Sequence, residues 1–354
     1  MNHAARLDAL RVGITTPLLV TRLPNLQYLT GFTGSNGFLL VRPEGAATFI
    51  TDGRYGEMAE GLVARLNTTE LTVYTSGLWD VLRAATAGLG PVGLEADGVM
   101  WSFATDFARE IGVPPVASLG AVERLRRSKD AEEIAALAAA AAAGDSAFSD
   151  LKKLALPATT ERELGWRLID AMRAEGAESA TWEPIVAAGA GASIPHYRSG
   201  RKAVGSSLLL LDYGCVSDGY HSDMSRTVWL RGDPDAEMGR VHQAVLESQE
   251  AGIAAVAPGV ACTAVDEACR AVLRKYGYEE HFLHSTGHGV GLEIHEAPWL
   301  RRGNDDSLAA GDVVTIEPGV YLPGVGGVRI EDMVVVAGSG PTVITHSTKE
   351  FQIP

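Results

Sequence analysis

Two apolar, β-prone hairpin sequences in the second half of the chain each carry a pair of acids at mirrored positions. No other feature restricts the possible folds as strongly. In the first, LLLLDYG and YHSDMSRTVWL, Asp212 and Asp223 flank a turn at residues 216–219 (VSDG). In the second, DVVTIEPGVYL and GVRIEDMVVV, Glu317 and Glu331 flank a Gly-rich turn at 323–327. The two Asp are equidistant from the midpoint of 217 and 218, and the two Glu from Gly324. Pairing in that register predicts two directly opposed acid pairs with Cβ atoms about 4.5–5.5 Å apart. Like charges so placed in apolar strands are destabilising unless something positive lies between them. A pair of divalent cations meets that need.

A third segment, HSTGHGVGLEIHE at 284–296, supplies histidine. Gly287, Gly289 and Gly291 surround His288, which predicts close backbone approach and unusual φ around a side chain aimed into a crowded site. Two Asp, two Glu and one His form a hard, oxygen-rich set. Such a set suits Mn²⁺, Fe²⁺, Co²⁺ or Zn²⁺ in a two-metal site better than a closed structural zinc site built on Cys. Its four negative charges balance two divalent ions.

The 354 residues suffice for two ordinary domains. Residues 1–122 alternate β-like runs (16–21, 37–41, 47–50) with helical patterns (55–66, 79–88), which predicts a mixed sheet covered by helices. A charged helix over 122–137, capped by Ser128, is expected to lead into the second domain, 123–354. Another helix starts at Thr159 or Thr160, where TERE is a capping-box pattern, and two more fall near 236–256 and 264–276. The two acid-bearing hairpins mark possible halves of an internally pseudo-symmetric domain. A net charge of −14 argues against nucleic acid as a partner. The longest aliphatic run, Leu208 to Leu211, is far too short to span a bilayer, and the first residues lack the apolar stretch of a signal peptide. Three Cys without a CxxC pattern predict buried free thiols in a reducing, cytoplasmic setting.

The strings GHGVGLEIHE, IEPGVY and GGVRIED, with YLTGFTGSNG and TDGRY earlier, resemble the pita-bread metallopeptidases: methionine aminopeptidase, Xaa-Pro aminopeptidase, prolidase and the metal-free relative creatinase. Further matches at RLRRSKDAEEIAAL, TWEPIVAAGAGASIPHYRSG and TKEF extend the likeness over nearly the whole chain. It implies an α+β protein, with a C-terminal pita-bread domain and a smaller creatinase-like α/β N-terminal domain. It implies hydrolysis of the Xaa-Pro imide bond of dipeptides or short peptides by a hydroxide bridging two metal ions. Xaa-Pro dipeptidase (prolidase) is the first reading. An Xaa-Pro aminopeptidase acting on longer peptides is the alternative, and a non-catalytic binding protein on the same fold is a third. Manganese is the expected ion, with cobalt or zinc as alternatives, and a homodimer is the expected assembly.

By the same resemblance, Asp212, Asp223, His288, Glu317 and Glu331 are the metal ligands. Asp223 and Glu331 bridge both ions, and Glu317 also serves as general base. His196 and His295 are the donors to the substrate carbonyl. His284, Tyr197 and Arg329 line the substrate pocket, with Arg329 also holding an acid ligand, and Trp299 is a further candidate wall. Several dipeptide-specific relatives place a carboxylate-binding Arg just after their HExP string. Here Trp299 stands there, which leaves Arg301, Arg302 or Arg54 of a partner subunit for that role.

Overall fold

The computed structural model describes residues 1–66, 68–205 and 207–352. The chain divides into two compact units, Met1–Arg126 and Arg127–Pro354.

In the first unit six strands form one mixed sheet, in the order Thr69–Tyr74, Ala47–Asp52, Gly37–Val41, Leu18–Val20, Gly93–Glu95, Val116–Ser118. The central strands LLV and GFLLV are almost wholly apolar and are buried nearly throughout, whereas the edge strand TELTVY mixes polar and apolar residues and stays partly exposed. That contrast is the expected one between strands covered on two faces and a strand at an edge. Leu19, Leu40, Ile50, Leu82 and Phe107 join the sheet and its helices in one core.

The second unit repeats one order of elements. Helices Ala131–Ser149 and Glu161–Ala174 precede the first acid-bearing hairpin, whose long strands are Leu208–Tyr213 and Met224–Trp229. Helices Ala236–Ala254 and Cys262–Tyr276 precede the second, in which Val313–Ile316 pairs with Asp332–Ala337 and Gly319–Leu322 with Gly326–Arg329. The helices pack on the strands around two cores, and the second also takes in Leu208 and Leu210 from the first hairpin. Leu164, Leu168, Leu209 and Leu211 belong to one core, and Val241, Val265, Val314 and Val334 to the other.

Helix starts follow capping chemistry. Thr160 caps its helix reciprocally with Glu163. The continuous helix expected over 122–137 breaks instead into Glu123–Arg127 and Ala131–Ser149, and Asp130 caps the longer piece, not Ser128. Asp130 has Glu133 three residues on to complete a capping box, whereas Ser128 has only Ala131. The Ser128 hydroxyl donates to the Ala310 carbonyl. Cys215, Cys262 and Cys269 are buried free thiols. Burial pushes Cys262 up to about 11 and Cys269 up to about 12. Among the described residues, no helix is long and apolar enough to cross a membrane.

Candidate metal centre

The first hairpin turns one position later than its mirrored acids suggest. Asp218 and Gly219 both take positive φ, 49° and 78°, and Ser217 pairs with Tyr220. Asp-Gly favours such two-residue turns because their twist matches that of the flanking strands. Asp212 therefore faces Ser225, not Asp223. The pairing shifts by two residues, an even number, so the two carboxylates stay on one face as diagonal neighbours. In the second hairpin the expected register holds. Ile316 faces Asp332 and Gly319 faces Arg329, which brings Glu317 level with Glu331 where one ladder ends and the next begins. There both backbone amides leave the hairpin: Glu317 N–H donates to the Thr286 carbonyl (2.7 Å) and Glu331 N–H to the Ser225 carbonyl (3.1 Å).

His288 lies on the short strand Gly287–Gly289, between Glu296–Leu300 and Val313–Ile316. A Cβ on Gly287 would sit 1.8 Å from the Thr315 carbonyl oxygen, and one on Gly289 2.3 Å from that of Ala297. The glycines thus permit close approach. The unusual φ expected of them is not found, since Gly287, Gly289 and Gly291 all lack positive φ.

Asp212, Asp223, His288, Glu317 and Glu331 all line one cavity of about 360 Å³. One ligand atom each from Asp223, His288 and Glu331 lie within 4.8 Å of one another, and all three residues are buried. The His288 Nε2 is 3.6 Å from Asp223 Oδ2 and 3.4 Å from Glu317 Oε1. Its Nδ1 is 3.1 Å from the Gly289 carbonyl oxygen, which can only accept, so Nδ1 carries the proton and Nε2 a lone pair. Burial lowers the His288 pKa to about 4, which keeps the ring neutral. A lone pair directed at two carboxylates leaves a gap that a cation fits. Glu331 repeats the point, because its buried Oε1 has no hydrogen-bond partner among the described residues. Burial, reinforced by neighbouring acids, pushes Asp223 and Glu317 well above the ordinary carboxylate range and Glu331 up to about 8. The donor set therefore fits divalent cations.

This crowding makes a pH prediction for chelator-treated protein. The Glu331 pKa of about 8 exceeds its ordinary 4.5, so between those values the native state binds more protons than the unfolded state. Stability without metal should fall as pH rises through that window and level off above it. Urea unfolding at a series of pH values measures this. A flat or rising profile would contradict the crowding of buried acids.

Arg329 joins the parts of the site. Its Nη2 donates to Asp212 Oδ2 at 2.6 Å, its Nη1 to the Tyr321 hydroxyl at 2.7 Å and its Nε to the Ser225 hydroxyl at 2.8 Å. Ser225 in turn donates to Glu331 Oε2 (2.8 Å). One guanidinium thus orients two acids, one of them through a hydroxyl. The Tyr321 hydroxyl is 2.8 Å from His284 Nε2, and His284 Nδ1 is 2.9 Å from the Ser285 carbonyl oxygen. Burial lowers His284 to about 3, so it stays neutral.

His196 and His295 are exposed and line the same cavity. The His295 ring stands edge-on to His288, with centroids 4.4 Å apart. Trp299 forms a wall as expected, but Tyr197 does not line the cavity; Trp182 and Ile185 do. The Tyr197 hydroxyl is drawn away to Glu161 Oε2, to which it donates at 3.0 Å. Reading the sequence also missed Ser225, Tyr321 and Thr315, whose hydroxyl is 3.3 Å from Glu317 Oε1. Ser225 becomes legible once the Asp-Gly turn sets the register. Tyr321 and Thr315 carry no such signal, since each reads as an ordinary strand residue.

Comparison with known proteins agrees with this geometry. The model of metallopeptidase family M24 matches residues 135–337, and that of the creatinase/prolidase N-terminal domain matches residues 15–128. An uncharacterized peptidase, YqhT, of Bacillus subtilis strain 168 is 36% identical over 342 residues, covering 95% of each chain. The solved structure of an Xaa-Pro dipeptidase from Bacillus anthracis superposes with a TM-score of 0.95 at 34% identity, covering 99% of this chain and 100% of that one. An X-Pro aminopeptidase from Thermotoga maritima MSB8 superposes with a TM-score of 0.86 at 31% identity, covering 96% and 97%.

Proposed function

This chain belongs to metallopeptidase family M24 and is a metallopeptidase of the pita-bread fold, and from that premise we propose that it cleaves the Xaa-Pro bond of dipeptides, as a prolidase. The observation that carries the reading is the convergence of Asp223, His288 and Glu331 within 4.8 Å in a cavity that Asp212 and Glu317 also line. Two divalent cations held by these five side chains would lower the pKa of a water and polarise the scissile carbonyl. Glu317 takes the proton of the attacking water and returns it to the prolyl nitrogen as that nitrogen leaves. His196 and His295 donate to the carbonyl oxygen as it gains negative charge. Arg329 keeps Asp212 fixed and, through Ser225, Glu331. Neutral His284, anchored by Tyr321, lines the side of the cavity that holds the residue before the scissile bond.

Three arginines were open for the carboxylate of a dipeptide. Arg54 is held by Asp52 through both carboxylate oxygens, at 2.9 and 2.7 Å, and Arg302 is ion-paired with Glu279. Arg301 is exposed, 6.0 Å from the ring of the cavity wall Trp299. These neighbours support Arg301 as the carboxylate-binding residue. Manganese as native ion is supported by the hard donor set, a reducing cytoplasmic location by the buried free thiols, and a homodimer by the family resemblance.

The test compares Ala-Pro, Ala-Pro-Ala and a longer Xaa-Pro peptide under Mn²⁺, Co²⁺ and Zn²⁺. The dipeptide should have the highest kcat/KM, with Mn²⁺ the best ion. Arg301→Ala should raise KM for Ala-Pro by about tenfold, the loss of one charge-assisted contact worth roughly 1.4 kcal/mol. Faster cleavage of the longer peptides would favour an aminopeptidase, and no Xaa-Pro cleavage with any ion would end the reading.

A further inference from the structure

We infer that Glu161 is a positioning residue for His196, an inference that rests on the role given to His196 above. Glu161 opens the helix Glu161–Ala174 and is completely buried, at 0% exposure. Among the described residues it forms no ion pair with Lys or Arg. A buried carboxylate without a counter-charge is costly unless hydrogen bonds satisfy it. Here every donor comes from the segment that carries His196. The Oε1 accepts from Ala188 N–H at 3.0 Å, and the Oε2 accepts from the Tyr197 hydroxyl at 3.0 Å and from Gly200 N–H at 2.9 Å. The positive end of the helix dipole favours the charge at this position.

The three bonds grip the segment on both sides of His196. Ala188 precedes it, and Tyr197 and Gly200 follow. Two backbone bonds from the same helix start close the clamp: Glu161 N–H to the Lys202 carbonyl (2.9 Å) and Arg162 N–H to the Gly200 carbonyl (3.0 Å). The ring of Tyr197 also lies against Gly191, where an added Cβ would be 3.1 Å from it. With Tyr197 turned to Glu161, His196 is the member of the adjacent pair that reaches the metal cavity. Glu161 itself does not line that cavity, so it acts through the segment and not on substrate.

Glu161→Gln preserves shape but sets an amide N–H₂ among N–H and O–H donors, where the carboxylate offered only acceptors. The experiment is a double-mutant cycle of Glu161→Gln with His196→Ala on the manganese-loaded enzyme and Ala-Pro. Glu161→Gln alone should lower kcat by about tenfold, within what misplacing a catalytic group costs, with KM and bound metal unchanged. In the His196→Ala background the same change should have no further effect. Losses that multiply, as for a merely structural role, would overturn the inference, as would wild-type kcat in Glu161→Gln. If Glu161→Gln does not fold, Tyr197→Phe replaces it in the same cycle, with an expected loss of about threefold. NMR of the His196 ring separates this inference from the functional reading. If wild-type enzyme cleaves no Xaa-Pro peptide, that reading fails, but the His196 ring resonance should still move in whichever variant folds. An unmoved resonance would overturn the positioning role.

Discussion

Asp223→Asn and Glu331→Gln are each expected to empty the metal centre and remove peptide hydrolysis while leaving the chain folded. Both substitutions keep side-chain shape and delete one negative charge. In metal-free protein, burial already pushes Asp223 well above the carboxylate range and Glu331 up to about 8, so the amide resembles the protonated acid it replaces. The fold should therefore tolerate it. The metal centre should not, because Asp223, His288 and Glu331 form its tightest group and the Glu331 Oε1 has no other partner among the described residues. Loss of even a group that orients a ligand weakens metal affinity by about 10–100-fold, and loss of a ligand should exceed that. The several kcal/mol of charge stabilisation that metals supply to a hydrolytic transition state correspond to a rate loss on the order of 10³-fold. Elemental analysis, circular dichroism and turnover of Ala-Pro report the three quantities. Full activity in either variant would remove that residue from the ligand set.

His295→Ala is expected to separate catalysis from metal binding. The ring is exposed on the cavity, with its centroid 4.4 Å from that of His288, and lies at the chain position before Glu296. Partial burial lowers its pKa, so at neutral pH it is an uncharged N–H donor. Such a donor stabilises an oxygen that gains charge without competing for a cation. The variant should bind metal as the wild type does and turn over about 10²–10³-fold more slowly, the cost of one oxyanion donor. The loss should fall in kcat, with KM little changed, since the interaction strengthens only in the transition state. A metal-depleted His295→Ala protein would show instead that the ring supports the ligands.

Most of this architecture was legible because it rests on local chemistry. The mirrored acids on apolar strands require a counter-charge wherever the chain buries them, and the TERE pattern at 160–163 specifies a helix start by itself. In the first hairpin, symmetry about the acids and turn chemistry predict different registers, and turn chemistry prevails. Asp218-Gly219 is the stronger signal, and it places the turn without reference to the acids. Both registers put the two carboxylates on one face because they differ by an even number of residues. Ser128 fails as a cap for a related reason: a capping box depends on the residue three positions later, Ala131 for Ser128 and Glu133 for Asp130. Tyr197 and Tyr321 lay beyond sequence reasoning, since Glu161 lies 36 residues from Tyr197 and His284 lies 37 from Tyr321.

The amides of Glu317 and Glu331 bond outside their own hairpin, to Thr286 and Ser225. The Glu331 amide therefore ties its hairpin to the sheet of the first one, and an ion bound by Glu331 with Asp223 and His288 would act as a strut across a seam that hydrophobic packing alone would hold. Metal supply then becomes a term in the protein's own durability. Each tenfold rise in free ion above its dissociation constant adds about 1.4 kcal/mol of resistance to unfolding per site. An enzyme built this way is sturdiest when it is ready to work, and a cell short of metal holds a population that is both idle and easier for proteases to clear.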